Sequence, residues 1–474
     1  AAVAAERAGV PSVSIVSPGF ERQAVATGRG LGFDGMRLAV LDAHPDSFTS
    51  DELIAAFLAR TVPQIIDGLT AALVEEAAPV DEPLPLDVVA SGSYEEVYER
   101  FAAEGWCDGL PFVPPTRAAV EAFIAPTGHD PWRSLGVVRP SGREVTVWTV
   151  AANGVMAGCR PEHLPVLLAM AEVMVGPAYG VEHSGSTTGA DALVVLDGPC
   201  VAELGFNHGQ GAQREGVRAN TTVGRWLRLF LRNVCGFTAD EHDKGTFGHP
   251  TKPVLAEDMA ALAEVGWEPL SAGAGLGPAD DAVTIGRINS TVLIGSVFGA
   301  TPDAIVPYLA DGLARVTGWD LTHVFGLGRG DYRPLLVLSP MLARVFGRAG
   351  WSKAQLQAAL FEHARIPASR FERLIGEWSN LTAGRRTLVD LVAQGELPAA
   401  FAASTDPERL VPIVTEPARF VIAVSGDPDR ANALAMSHDG LQGMWTTARI
   451  DRAPSLDLVC RVERHPKPGH PGRL

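Results

Sequence analysis

Three features that would each point to a class of protein are missing from this sequence. Acidic residues outnumber basic ones by 55 to 39, so no basic surface is available to neutralise nucleic-acid phosphates. No apolar run approaches the ~20 residues that cross a bilayer, and no signal peptide is visible. The sequence therefore predicts a cytoplasmic protein with neither a nucleic-acid nor a membrane partner.

Cysteine is scarce and irregularly spaced. Five cysteines occur, at positions 107, 159, 200, 235 and 460, and none belongs to a CxxC motif. An odd number at such spacings is typical of reduced thiols in a cytosol and argues against a disulfide framework. What is abundant is apolar: 46% of the 474 residues are hydrophobic, which allows a large core in two or three domains.

The order of predicted elements is that of an α/β protein. In residues 1–74 two short strands, Pro11–Val16 and Met36–Leu41, alternate with helices, which predicts parallel pairing. Two strands make an incomplete sheet, so we expect this unit to be part of a larger one that begins before Ala1. A linker is predicted at 75–90, a larger α/β domain at 91–460 and a frayed tail at 461–474.

The larger domain shows a pattern that occurs twice. A predicted strand at Arg143–Val150 leads through a small-residue turn into a helix at Pro161–Val175. A second strand, Arg333–Leu338, leads through Ser339 and Pro340 into another helix. This similarity predicts a diverged internal duplication.

The densest reactive chemistry surrounds Cys159. Arg160, Glu162 and His163 follow the thiol within four positions, just before an apolar helical run. A cysteine at a helix N-terminus beside a guanidinium has a lowered pKa, so we predict a nucleophilic thiolate with Glu162 or His163 as the proton-transfer group. The alternative is a small apolar residue that packs a tight turn.

Other candidate residues lie in polar loops and on one helix. Asp108, in the constrained turn GWCDGLP, and Asn153 are predicted to position the substrate, and we prefer Asp108 to the neighbouring Cys107 as the functional residue. Arg225, Arg228 and Arg232 recur at helical spacing and could bind a carboxylate or phosphate, or form a solvated or salt-bridged face, which is the usual case. Asn220 is a candidate N-cap for that helix and is also predicted to bind the substrate.

A metal site is the weaker alternative. The candidate ligands follow no paired-ligand spacing, which favours separate loop residues; they are Glu182, His183, His208, His242, Asp243 and His249. The glycine-rich run Gly326–Gly330 precedes a strand and so does not fit a dinucleotide fingerprint. No cofactor is identified.

The N-terminal strings resemble a known family. GVPSVSIVSPGFERQA, LGFDGMRLAVLDAHP and SDELIAAF look like the later part of a UGSC-type (seleno)protein domain, related to the selenoprotein subunits of glycine and proline reductases. The resemblance implies a redox selenocysteine or cysteine in a U/C-G-S-C motif upstream of this segment, on the same polypeptide or on a separate chain.

Residues from Trp106 to about Ile450 resemble a domain found together with UGSC proteins. The strings GWCDGLPFVPPT, ANGVMAGCRPEHLPVLL and ANTTVGRWLRLFLRN carry the similarity. Cys107 stands where a threonine is expected and His163 where an aromatic residue is expected. The matching residues are Asp108, Asn153, Cys159, Arg160, Glu162, Asn220 and Arg225.

These observations predict a thiol-dependent oxidoreductase or lyase, which cleaves or reduces a carbon–heteroatom bond in a small anionic metabolite. Cys159 would be the thiolate, and Arg160 and Arg225 would bind the substrate anion. The alternatives are metal-assisted hydrolysis or hydration and a non-catalytic subunit that presents substrate to a UGSC-type reductase. We expect a homo-oligomer.

Overall fold

The structure is a computed structural model. It describes residues 1–47, 49–72, 84, 86–239, 241–249, 252–325, 332–378, 387–440 and 443–452. Most of the predicted linker, the Gly326–Gly330 run, Cys460 and the predicted tail lie outside these ranges.

The first 72 residues form a small α/β unit. Its elements are α1 (Ala2–Arg7), β1 (Ser14–Val16), α2 (Glu21–Gly30), β2 (Leu38–Val40), α3 (Ser50–Ala56) and α4 (Val62–Thr70). β1 and β2 pair in parallel, with Ser14 opposite Leu38, as predicted. Thr49 caps α3 in a reciprocal box with Glu52, which satisfies two of the helix's free N–H groups.

A π-helical turn at Phe57–Thr61 joins α3 to α4. The resulting helix, Ser50–Thr70, has 21 residues and a mean hydropathy of 1.2, so by length and composition alone it could cross a membrane. The prediction that no apolar run approaches the length needed to cross a bilayer is therefore wrong by these two criteria. Arg60 and Asp67 lie within it, and charged side chains are costly in hydrocarbon.

The larger body contains most of the elements. Its helices are α5 (Tyr94–Ala103), α6 (Arg117–Ile124), α7 (Val147–Ala157), α8 (Leu164–Val175), α9 (Cys200–Glu203), α10 (Arg218–Asn233), α11 (Met259–Val265), α12 (Pro302–Val316), α13 (Pro340–Arg348), α14 (Lys353–His363), α15 (Ala368–Gly376) and α16 (Leu388–Ala393). Its strands are β3 (Ser134–Val137), β4 (Glu144–Thr146), β5 (Asp191–Asp197), β6 (Val254–Ala256), β7 (Ala282–Ile294), β8 (Leu335–Leu338), β9 (Arg365–Pro367), β10 (Leu410–Pro412), β11 (Val421–Val424), β12 (Ala433–His438) and β13 (Thr446–Arg449).

A curled mixed sheet organises this body. Its order is β11-β8-β12-β7-β5-β6, and β13 pairs with the first part of β7. The pairs β5–β6 and β8–β11 are parallel, whereas β7 and β12 run antiparallel to their neighbours. The curl brings the two edges together, where the N–H of Asp258, just beyond β6, donates to the carbonyl of Val424 in β11 at 2.8 Å. The predicted α/β class is confirmed.

The sheet is covered on both faces. Its concave face encloses a small apolar cluster: Leu193, Val195, Ala212, Leu255, Ile288, Leu335, Val337, Ala423 and Met436. On the convex face, α7, α8 and α10 pack over β5 and β6, and α12, α13 and α14 pack over β8 and β12. Burial on both faces explains why β5 and β8 read as continuous apolar runs.

One predicted strand is largely wrong. The predicted strand Arg143–Val150 is only β4, because Thr146 forms a capping box with Thr149 and starts α7. Since a helix precedes Cys159, the strand-to-helix similarity that suggested a duplication is absent there.

Candidate functional site

Cys159 lies just after the end of a helix. α7 closes at Ala157, and Gly158 takes the left-handed conformation, φ 81°, that ends many helices. The thiol is thus beyond the negative end of the α7 dipole, two residues before a 3₁₀ turn at Pro161–His163. The predicted turn at 153–158 is helical as far as Ala157, so the strand-to-helix setting inferred for the thiol is wrong.

The environment of Cys159 opposes ionisation. The residue is 6% exposed, and burial raises the pKa of its thiol to about 12 despite a hydrogen bond with Thr222 and the charges of Arg218 and Arg225. The expected lowering of the thiol pKa is therefore wrong. The guanidinium groups that favour a thiolate are those of Arg218 and Arg225 in α10. Arg160, which was predicted to lower the thiol pKa, is exposed.

His163 is equally enclosed. It is 2% exposed, its Nδ1 accepts a hydrogen bond from the Arg160 N–H at 3.3 Å, and burial lowers the pKa of its ring to about 4. The imidazole is neutral at pH 7 and organises the turn before α8. Glu162, the other predicted proton-transfer group, is exposed on this turn.

Asp108 and Arg225 meet, although 117 positions separate them. Arg225 donates from Nε and Nη2 to the two carboxylate oxygens of Asp108, each at 2.8 Å, and from Nη2 to the Leu110 carbonyl at 3.2 Å. Burial alone would raise the pKa of Asp108, but the hydrogen bonds and charge of Arg225 outweigh it and lower the pKa. This fork-to-carboxylate geometry fixes the GWCDGLP turn against α10.

The two predicted asparagines hold backbone and side chains in place. The Asn153 amide donates to Thr149 O, and its Oδ1 accepts from Asn233 Nδ2, both at 2.9 Å. Asn220 pairs with the backbone of Asn207, accepting from its N–H at 2.7 Å and donating to its carbonyl at 3.1 Å. α10 begins at Arg218, so Asn220 is inside the first turn and its predicted capping role is wrong.

Arg225, Arg228 and Arg232 lie along one face of α10 and are here called the arginine stripe. Beyond Arg225, Arg228 forms an ion pair with Asp191 at the start of β5. Arg232 donates from Nη1 to the Gly105 carbonyl at 3.2 Å and has no carboxylate partner among the described residues. The stripe therefore changes along its length from paired to unpaired cations.

A cleft of about 620 Å³ opens beside this stripe. Its walls come from α10, the turn of Asp108, the segment before β5 and the loop that follows Phe237. The lining residues are Asp108, Ser184, Gly189, Ala190, Asp191, Arg228, Leu231, Arg232, Phe237, Asp243, Gly245, Phe247, Gly248 and His249. A volume of this order suits a small metabolite. Cys159 and His163 do not line the cleft.

The N-terminal unit packs against the rim of this cleft. The Lys244 ammonium, between two lining residues, lies 6.0 Å from the centre of the Phe20 ring. At the other end of α2, a Cβ added to Gly30 would lie 1.6 Å from the Pro140 carbonyl oxygen. The adjacent Ser141 donates to the Val234 carbonyl at 2.8 Å, three residues before Phe237.

The predicted metal ligands do not converge. Within the described part of the chain, no group of three histidine, cysteine, aspartate or glutamate side chains could hold a metal ion. Asp243 and His249 line the cleft, His242 bonds the Gly236 carbonyl at 3.0 Å, and His208 faces a different carboxylate, Asp258.

The comparison with protein families finds one match. Residues 1–71 match the UGSC family. This confirms the similarity predicted for the N-terminal segment, while its relation to selenoproteins and the fusion with a second family domain stay predictions. A comparison of the chain with curated proteins gave no match. The cleft rim therefore contacts the UGSC-like segment.

The sequence predicts Arg225 and Arg228 as candidate site residues, but it does not predict the ion pairs that they form. Asp191 opens a buried strand, and nothing in its spacing relates it to Arg228. Arg218, which donates from Nε and Nη2 to the Gly158 carbonyl at 3.1 and 2.9 Å, was not among the predicted site residues. Its position two turns before Arg225 could have identified it as part of the same helix face.

Proposed function

We propose that this protein binds a small anionic metabolite in the α10 cleft and works with a UGSC-type redox centre to cleave or reduce a carbon–heteroatom bond in it. The observation that carries the binding proposal is Arg232. Its guanidinium lines the cleft without a carboxylate partner among the described residues, whereas Arg225 and Arg228 are each neutralised. A ligand carboxylate would supply the missing charge.

The family match supports the redox part of the proposal. α2 of the UGSC-like segment reaches both the rim loop at Lys244 and the turn at Pro140. A redox group carried with this segment, or by a separate chain, would therefore act close to a ligand in the cleft. Electrons from this redox group would then reach the ligand without passing through the larger body.

The thiol of Cys159 has less support as the reacting group. It lies outside the cleft lining and holds its proton firmly, so a direct attack would first need α7 and α10 to separate. We therefore assign substrate binding to this chain and place the primary redox chemistry with the UGSC-type centre. Turnover by Cys159→Ala protein, assayed with and without that centre, distinguishes these roles.

Calorimetric titration with a panel of two- to five-carbon mono- and dicarboxylates tests the binding proposal. We expect at least one to bind, and Arg232→Gln to weaken its affinity about 10-fold or more, the usual effect of losing one charged hydrogen bond. Arg117→Gln is the matched control, because Arg117 pairs with Glu121 on the exposed face of α6. Absence of binding across the panel, or equal affinity of wild type and Arg232→Gln, would refute the proposal.

A further inference from the structure

His208 is held unusually firmly for a residue in a loop. Its carbonyl accepts hydrogen bonds from the N–H of Gly426 at 2.8 Å and the hydroxyl of Ser425 at 3.2 Å, both just beyond β11. The preceding residue, Asn207, is clamped by Asn220 of α10. Two separate elements thus fix the backbone at this position.

The imidazole itself is oriented by a carboxylate. Nδ1 is shielded from solvent and faces Oδ2 of Asp258 at 3.5 Å, while the side chain as a whole is 35% exposed. The exposed part of the ring is therefore the edge away from Asp258, which carries Nε2. A histidine that presents one nitrogen to solvent and the other to a carboxylate has the arrangement required for proton transfer.

Asp258 is fixed in turn. Its Oδ1 accepts the N–H of Ala261 at 2.9 Å and caps α11. Burial alone would raise its pKa, but the nearby His208 ring and the backbone N–H groups of the cap lower it, so the carboxylate stays charged. The Asp258 carboxylate, 3.5 Å from Nδ1, in turn raises the pKa of His208 above its ordinary value.

This pair is remote from the cleft. Asp191, in the cleft, begins β5, whereas Asp258 follows β6, which runs parallel to β5 with Leu196 opposite Ala256. The seven residues of β5 place the two locations roughly 20 Å apart. His208 therefore lies near the carboxyl ends of the parallel strands β5 and β6, at the end of the sheet away from the cleft.

We propose that His208 and Asp258 form a proton-transfer dyad, a second functional centre at the end of the sheet opposite the cleft. Nε2 would accept a proton from, or attack, an uncharged or cationic ligand. An anionic ligand is disfavoured, because the charged Asp258 lies beside the ring and the nearby cations already face carboxylates: Lys353 faces Glu257 at 3.9 Å and Arg344 pairs with Glu264 at 2.9 Å. This proposal is independent of the cleft.

A small activated ester is the probe for such a dyad. With p-nitrophenyl acetate, Nε2 would bond to the acetyl carbon and the ester C–O bond would break, releasing p-nitrophenolate. Water would then cleave the acetyl-imidazolium to acetate and two protons and restore the neutral ring. The rate is measured on the full chain at pH 8.5 through p-nitrophenolate absorbance.

We expect wild-type protein to release p-nitrophenolate about 10-fold faster than His208→Gln, and Asp258→Asn to lose several-fold in rate. Asparagine is as good an N-cap as aspartate, so Asp258→Asn keeps α11 while it removes the charge. His363→Gln, at an exposed histidine that ends α14, is the control and should keep the wild-type rate.

If the pair had only a structural role, the pKa of His208 and its reactivity toward the ester would not change together. In NMR titrations we expect the His208 pKa to be above about 6.5 in wild type and to fall toward that value in Asp258→Asn. The proposal is overturned if His208→Gln is as reactive as wild type, or if Asp258→Asn changes neither the rate nor the titration.

Discussion

Arg225 and Asp108 join two segments of the chain through a pair of parallel hydrogen bonds, each 2.8 Å long. The arginine belongs to α10, and the aspartate belongs to a turn that forms part of one wall of the cleft. Both side chains are about one-fifth exposed, so water screens the pair only in part. This ion pair sets the position of the turn relative to the arginine stripe.

Asp108→Asn should destabilise the protein by about 2 kcal/mol, because it leaves the Arg225 guanidinium partly buried without its counter-charge. Urea unfolding at pH 7 measures the change. The effect should depend on pH, since the folded pKa of Asp108 lies below its unfolded value. Its contribution is therefore present above about pH 4 and is lost as the pH falls through the folded pKa.

The matched control for that measurement is Glu121→Gln, which breaks the exposed pair with Arg117. Exposed pairs of this kind contribute about 0–1 kcal/mol. If Asp108→Asn cost no more than Glu121→Gln, the ion pair would not be the element that holds the turn.

Cys159 should be almost unreactive in the folded protein. A thiol with a pKa of about 12 has roughly one thiolate in 10⁵ molecules at pH 7, and the thiolate is the form that attacks alkylating reagents. We expect iodoacetamide to modify Cys159 only after addition of urea, as followed by peptide mass spectrometry. Arg218→Ala, which removes the fork on the Gly158 carbonyl, should loosen this cover and accelerate labelling. Rapid labelling of native wild-type protein would show that the thiol is accessible.

Capping signals and apolar periodicity predicted much of the fold. Thr49, Ser93 and Thr116 cap the helices that follow them, because each cap depends on a side chain and the backbone three residues later. The strand predicted over 147–150 is wrong, since its β-branched residues favour a strand in isolation, whereas the Thr146 cap and burial against α10 select the helix.

The candidate site was predicted in its residue types but not in its geometry. Asp108 and Arg225 were both chosen for their chemistry, and their contact depends on how α10 packs. The pKa of Cys159 was predicted with the wrong sign, because the local sequence shows a neighbouring guanidinium but not burial beneath Thr222 and Arg218. Desolvation is set by tertiary packing, which spacing along one chain does not encode.

Gly30→Leu should separate the UGSC-like segment from the cleft rim. Any side chain at this position meets the Pro140 carbonyl, which is backbone and cannot rotate away. We expect faster hydrogen exchange in α2 and in the turn at 140–142, and a loss in the affinity of any cleft ligand. Arg22→Leu, on the first turn of the same helix, is the control for added apolar surface. Unchanged exchange at 140–142 would contradict the proposed contact.

His163→Phe should make the stability of the protein less dependent on pH. The ring is neutral in the folded state with a pKa of about 4, whereas an unfolded histidine binds a proton below about pH 6.5. The folded protein therefore keeps the full contribution of this residue above pH 6.5 and loses it as the pH falls toward 4, by about 3 kcal/mol. Phenylalanine keeps an apolar ring beside Phe206 and cannot titrate.

Denaturant midpoints measured from pH 7.5 to 4.5 should fall less steeply for the variant than for wild type. His323, another buried ring whose pKa burial lowers to about 4, remains in both proteins and contributes equally to the two curves. Parallel curves would mean that His163 is already protonated, or is solvated, in the folded protein.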